Sequence, residues 1–231
     1  MEPAWYEYGI TEPIPAIKDL HNDFLIIVDS NFKATNFISF EEDYLRDQSI
    51  NRDTNDLKIN CFEETWDRLS IQKRLKMLDS TKLANKQEAD SVHRINNQGK
   101  NQVWVINNTS DTVSIQMQDW SFICILQGLT KGGQWLPMQY WEFSTCGNSY
   151  HHKAFAPKTA NSFLFTIPNK GNYQTKLRFK LLGADRFYYS NEFTGKIDYC
   201  EFVEDSSNNT PHPPREEPHY KLDSMIHLPD F

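Results

Sequence analysis

Gln-Thr-Lys-Leu-Arg-Phe-Lys-Leu-Leu, at residues 174–182, is the stretch that decides the fold of this chain. Apolar and basic side chains alternate along it, the apolar set being Leu177, Phe179 and Leu181 and the basic set Lys176, Arg178 and Lys180. Successive side chains of a β-strand point to opposite faces of its sheet. The alternation therefore predicts a strand with one buried face and one solvated face.

Short apolar runs recur on the N-terminal and C-terminal sides of this stretch at about ten-residue spacing, with turn residues between them. Regularly spaced short strands are typical of an antiparallel β-sandwich. We therefore predict a sandwich domain over residues 101–205, which makes the chain mainly β. Its predicted strands are residues 102–107, 112–118, 120–129, 134–144, 161–167, 174–182, 186–190 and 196–203.

The preceding residues, 1–100, are expected to form a mixed α+β segment that packs on the sandwich. Short β-branched and aromatic runs between polar residues predict two strands, and an acidic, Asn-rich region without apolar periodicity predicts a loop. The two strands are placed at residues 24–28 and 35–40, and the loop at residues 41–60.

One helix is predicted in that segment, over residues 63–78, because Trp66 and Leu69 share a face there and basic residues lie behind them. A second, short helix is expected around residues 86–93. The C-terminal residues 206–231 are Pro-rich and polar, which predicts a flexible tail.

A second feature concerns residues 175–181 together with Tyr189-Ser190-Asn191-Glu192. A strand rich in aromatic residues, followed by a Ser-Asn-Glu turn, resembles the last hairpin of fibronectin-III-like domains. The resemblance covers about thirty residues and implies an immunoglobulin-like sandwich with a binding or scaffolding role. Fold alone does not determine function.

Composition excludes some classes of function. The net charge is −7, whereas a nucleic-acid-binding domain needs a basic surface. No apolar run is long enough to span a bilayer. The N-terminus carries no signal peptide, so the chain is expected to be cytoplasmic if it is complete as given. Four cysteines without a Cys-x-x-Cys pair predict free, mostly buried thiols rather than a zinc finger.

A candidate metal site is the segment that contains Cys146, His151 and His152. A thiolate and two imidazoles are suitable ligands for zinc or copper. A nucleophilic pair of cysteine and histidine is a second interpretation. The third is a structural loop, because adjacent histidines on a strand point to opposite faces.

A candidate recognition face is the aromatic stretch that contains Trp135, Tyr140 and Trp141. Exposed Trp and Tyr rings stack on sugars or on peptide side chains, whereas the same residues in the interior are core. Pro137 in this stretch favours an edge strand or a bulge.

The basic residues Lys176, Arg178 and Lys180 form a candidate stripe for an acidic partner, or else an ordinary solvated strand face. The tail over residues 206–231 is a further candidate docking segment.

The chain contains no Gly-rich phosphate loop, no Gly-x-Ser-x-Gly motif and no His-Glu-x-x-His motif. We therefore expect a non-catalytic protein-interaction or adaptor protein without a cofactor, whose partner is another protein. The alternatives are a carbohydrate-binding module and a metal- or cysteine-dependent hydrolase.

Overall fold

The computed structural model describes residues 2–4, 6–17, 20–34, 36–53, 68–141, 144, 146–184 and 186–202. The chain divides into two units, residues 1–33 with 99–231 and residues 34–98. The described strands are β1 (Glu2–Pro3), β2 (Glu12–Pro13), β3 (Phe24–Lys33), β4 (Asn101–Asn107), β5 (Val113–Gln118), β6 (Ser121–Phe122), β7 (Cys124–Leu129), β8 (Trp135–Pro137), β9 (Gln139–Tyr140), β10 (Tyr150–Phe155), β11 (Thr159–Phe165), β12 (Tyr173–Leu182), β13 (Phe187–Tyr189) and β14 (Phe193–Ile197). The helices are α1 (Phe40–Asn51) and α2 (Ile71–Asn96).

The first unit is built from antiparallel sheets. One has the strand order β2-β11-β4-β3, a second has the order β13-β12-β7-β8 with β14 also paired to β12, and a third has the order β10-β5-β6. A short parallel pair joins β1 to β9. The predicted mainly-β, sandwich-like fold class is confirmed.

Aromatic rings fill the interior between these sheets. The Phe179 ring centroid lies 5.2 Å from that of Phe163 and 4.9 Å from that of Phe165. The predicted alternation of β12 is confirmed at Leu177, Phe179 and Leu181, each of which is fully buried. The free energy released by burying these large rings is the main stabilising contribution in this unit.

Side-chain and backbone hydrogen bonds connect the sheets at their edges. Asn191, two residues after β13, donates to the carbonyl of Val28 at 2.9 Å and accepts from the N–H of Val28 at 2.7 Å. Ile26 and Ser190 form an isolated parallel bridge beside it. The side chain of Asn191 thus extends the β-ladder from one sheet to the next.

Residues 1–33 supply β2 and β3 to the same sheet as β4 and β11. The two units meet at residues 98 and 99, beside the predicted boundary at residue 100, but residues 1–33, which were expected outside the sandwich, supply strands to its sheets. The strand predicted at residues 24–28 is present and extends to Lys33.

The second unit is a pair of helices. Ser39 caps α1, where its Oγ accepts from the N–H of Glu42 at 3.1 Å, and Ser70 caps α2. The strand predicted at residues 35–40 is wrong at its described positions, because Ser39 is a helix cap and Phe40 begins α1. The loop predicted over residues 41–60 is wrong for 41–51, which are helical.

The helix predicted over residues 63–78 falls partly outside the described residues, which leave out 54–67. Residues 68–70 are not helical, and α2 begins one residue after the Ser70 cap. It continues without a break to Asn96, through the short helix predicted at 86–93.

Within the sandwich, most predicted strands are present with shifted ends. The run at 120–129 is two strands, β6 and β7, and the described residues of the run at 134–144 form β8 and β9. Strand β10 was not predicted. After β14, a 3-10 turn covers Tyr199–Phe202 where the last strand was expected. The predicted tail at 206–231 lies outside the described residues.

Candidate binding surface

An arginine lies between two aromatic rings on the face of β12 that bears the basic residues. The guanidinium carbon of Arg178 is 4.2 Å from the Trp135 ring centroid and 4.3 Å from that of Tyr189. Its Nε donates to Oε1 of Gln127 at 3.0 Å. We call these residues the Trp135–Arg178–Tyr189 stack.

The register of the sheet explains how three separate strands build this stack. Arg178 pairs with Gln127 on β7, and Tyr189 pairs with Lys180 on the opposite edge of β12. Trp135 is the first residue of β8, the next strand beyond β7. Side chains on one face of neighbouring strands are close enough for long and aromatic residues to touch diagonally.

The predicted basic stripe is only partly exposed. Lys176 has a side chain that is 60% exposed and pairs with Glu192 at 2.7 Å. Lys180 is buried, with its Nζ 4.2 Å from the Phe187 ring centroid. Lys176 and Arg178 therefore reach the surface, whereas Lys180 does not join an exposed stripe.

The predicted aromatic face is not a continuous surface. Trp141 is buried in the core, where its indole N–H donates to Oε1 of Gln118 at 2.9 Å. The side chain of Tyr140 lies outside the described part of the chain. Met138, between β8 and β9, is also buried. Of the predicted trio, Trp135 is the residue placed beside the exposed Tyr189.

The predicted metal site is not assembled. Cys146 is exposed, while His151 and His152 are consecutive residues of β10 and point to opposite faces of their sheet. Over the residues that the structure describes, no three His, Cys, Asp or Glu side chains come together in a group that could hold a metal ion.

Three cysteines are free thiols in the described ranges. Burial raises the pKa of the Cys124 thiol well above its usual range. Cys146 and Cys200 are exposed, so the prediction of mostly buried thiols is wrong for these two. Cys61 lies outside the described residues.

Trp120, predicted as the first residue of a strand, lies instead in the turn between β5 and β6. Asp119 and Trp120 both have positive φ, 45° and 63°. A two-residue hairpin turn of this kind prefers Asn-Gly, and a left-handed tryptophan costs roughly 1–3 kcal/mol. Trp120 is nevertheless 50% exposed, and its ring lies 5.1 Å from that of His151. The Asp before it was the only signal of this turn.

A partly buried lysine lies next to this turn. Lys153 shares a face of β10 with His151 and with the buried Phe155. Its Nζ is 3.9 Å from the ring centroid of Tyr8. Burial lowers the pKa of Lys153 from 10.5 to about 8.

We expect Lys153→Met to raise stability at neutral pH by about 1 kcal/mol, reduced from the full pKa effect because the group is partly exposed. The folded pKa of about 8 is below the unfolded 10.5, so the unfolded chain holds more protons in this window. Charged Lys153 therefore lowers the free energy of unfolding at neutral pH, and this loss becomes smaller as the pH rises from about 8 to 10.5.

The free energy of unfolding of the native chain and of Lys153→Met, measured in urea across this pH window, checks this prediction. Lys196→Met, on the exposed side of β14, is the control. A gain from Lys153→Met that stays constant with pH would contradict it.

No protein-family model, curated protein or solved structure matches this chain. Over the described ranges, no helix is long and apolar enough to cross a membrane.

Proposed function

We propose that this chain is a non-catalytic protein-interaction module that binds a partner through the Trp135–Arg178–Tyr189 stack. The observation that carries this proposal is the guanidinium of Arg178 held between two aromatic rings on a face where Tyr189 is 46% exposed. Trp, Tyr and Arg are the residue types most enriched among the residues that dominate binding energy in protein interfaces.

The geometry of the stack favours binding because its members already hold one another in place. The two rings cover the faces of the guanidinium, and Gln127 accepts from its edge. Side chains that are ordered before binding lose less conformational entropy in the complex. The charge of Arg178 favours a partner segment that carries a carboxylate, whereas the charge of Lys176 is already paired with Glu192.

The alternatives have less support. Sugar binding needs open aromatic faces, but Arg178 covers one face of Trp135, and Trp141 is in the core. A hydrolase that uses Cys146 with His151 and His152 needs these side chains together, and β10 separates the two histidines.

We expect Arg178→Ala and Tyr189→Ala each to reduce capture of a specific partner by about tenfold or more, a loss typical of central interface residues. The measurement is crosslinked affinity capture with the full chain, quantified by mass spectrometry, followed by affinity measurement with the identified protein. Tyr44→Ala is the matched control, because it removes an exposed tyrosine from α1.

Arg178→Lys separates stacking from charge, since lysine keeps the charge and loses the planar group. Equal capture by all variants would rule out this surface. Binding to a glycan array that is lost on Trp135→Ala would instead establish the carbohydrate-binding alternative.

A further inference from the structure

Lys153 lies on a strand that has one apolar face and an open edge. Strand β10 is the terminal strand of the sheet β10-β5-β6, and among the described strands it pairs only with β5. The residues on either side of Lys153, His152 and Ala154, are exposed. Lys153 itself points to the other face, which it shares with the buried Phe155, and it is partly exposed. A small molecule therefore has a route to Lys153 from the edge of the sheet.

The surroundings of the Lys153 side chain are apolar. On β5, Ile115 lies directly opposite Lys153, and Val113 and Met117 lie diagonally on the same face. Ile115 and Met117 are fully buried. From the N-terminal segment, the ring centroid of Tyr8 lies 3.9 Å from Nζ of Lys153. Hydrocarbon and aromatic surface therefore line the lysine on the sides that β5 and this segment provide.

No counter-charge compensates the ammonium group of Lys153. Over the ranges that the structure describes, no carboxylate forms an ion pair with Nζ, and Nζ donates no hydrogen bond. Burial, and to a smaller degree the charge of Glu7, raises the pKa of Tyr8, so its hydroxyl is not an anion at neutral pH. His151, the next residue on the same face, is neutral or positive in all of its protonation states. Burial without a carboxylate partner lowers the pKa of Lys153 from 10.5 to about 8.

The neutral form of an amine is the form that attacks an electrophilic carbonyl carbon. A lowered pKa increases the neutral fraction of Lys153 at neutral pH and decreases its intrinsic nucleophilicity. The second effect is the smaller, because nucleophilicity falls with pKa only about half as steeply as the reactive fraction rises, as measured for thiols. Acylation also removes the charge, and with it the cost of holding a cation in apolar surroundings.

We propose that Lys153 is an acylation site that takes small acyl groups from thioesters. Its Nζ attacks the thioester carbonyl carbon, a C–N bond forms, the C–S bond breaks, and the thiol leaves with the proton that the amine loses. The product is an uncharged amide on a lysine stem that keeps its place beside Tyr8. This inference does not depend on the Trp135–Arg178–Tyr189 stack, which lies on a different sheet.

The test measures the acetylation rate of each lysine in the full chain, with the small thioester acetyl-N-acetylcysteamine as the acyl donor at about pH 7.5. Peptide mapping by mass spectrometry assigns the rates. We expect Lys153 to react at least about fivefold faster than Lys196, an exposed lysine on β14. The rate at Lys153 should reach half of its plateau near pH 8. The difference between the two lysines should disappear when the chain is unfolded in urea.

The consequence for stability has its own control. The acetylated native chain is expected to unfold at a higher urea concentration than the unmodified chain, because the buried charge is gone. Lys153→Arg keeps a charge at this position and has no lysine there to acetylate. After the same acetylation of its other lysines, Lys153→Arg should show no such gain.

Three results would overturn the inference. In the folded chain, a rate at Lys153 no higher than that at Lys196 would show that the amine is not activated or is not accessible. The same ratio of the two rates in the folded and the unfolded chain would assign the reactivity to the adjacent histidines in the sequence. An equal gain in stability for the acetylated native chain and for acetylated Lys153→Arg would assign that gain to other lysines.

Discussion

Replacing Phe179 with alanine is expected to lower the free energy of unfolding of the β-rich unit by about 4 kcal/mol, the cost of removing a large buried ring. Phe179 is fully buried in the middle of β12. Four other rings surround it, with centroid distances of 5.4 Å to Tyr6, 5.2 Å to Phe163, 4.9 Å to Phe165 and 5.9 Å to Phe193.

The reason for so large an effect is that the surrounding rings come from three separate segments of the chain, which cannot all move into the space. Tyr6 precedes β2, whereas Phe193 begins β14. A cavity left between such elements collapses only partly, and its walls lose their contacts.

Denaturant unfolding of the full chain, followed by tryptophan fluorescence, measures this change. Phe179→Leu fills most of the volume and should cost less than half as much. Gln174→Ala, at an exposed position of the same strand, should change stability by less than about 0.5 kcal/mol. A cost below about 1 kcal/mol for Phe179→Ala would mean that β12 does not lie at the centre of the core.

Replacing Glu42 with alanine is expected to destabilise the helical unit by about 2 kcal/mol. The Glu42 side chain is 1% exposed and accepts from Nε of Arg46 at 2.8 Å, and Nδ1 of His93 lies 3.1 Å from its carboxylate. Removing the carboxylate takes this acceptor away from both partners, although Arg46 keeps the hydrogen bond from its Nη1 to Asp90 at 3.3 Å. Arg46 and His93 are 40% and 35% exposed, so water replaces part of the lost interaction.

Amide hydrogen exchange distinguishes this local effect from global unfolding, because it reports the opening of each element separately. We expect faster exchange in α1 and α2 of Glu42→Ala and unchanged exchange in β12. Glu42→Gln, which keeps the shape and an acceptor, should fall between the native chain and the alanine variant. Glu88→Ala on an exposed face of α2 is the control. The expectation would be contradicted if the substitution accelerated amide exchange more in β12 than in α1 and α2.

Sequence patterns predict the elements of the sandwich whose two faces differ in polarity. Strand β12 is the best example, because leucine and phenylalanine face the core while lysine and arginine face outward. Helix α1 was missed because it buries only Glu42 and has no apolar stripe. Its signal was local: Ser39 as a cap, followed by acidic residues in the first turn. Strand β10 was missed because its outward and inward residues are both largely polar.

Individual residues of the candidate surface could be predicted from the sequence, but their contact in space could not. Arg178 and Trp135 were both singled out from the sequence, on separate strands and for separate reasons. Their contact depends on the order and register of β12, β7 and β8, and these are tertiary features. The position of Tyr189 beside them depends on strand pairing in the same way. Trp141 belongs to the same aromatic pattern as Trp135, yet its side chain is buried in the core.

The pairing of the first strands with much later ones has a consequence for how the chain is made. Residues 12–13 pair with residues 159–160, and β3 pairs with β4. At a synthesis rate of about 5–20 residues per second, β2 is made about 7–30 seconds before its partner strand. The helical pair needs only residues between 34 and 98 and can form during that delay. The sandwich is therefore completed only after the second half of the chain has been synthesised, and until then β2 has no partner strand.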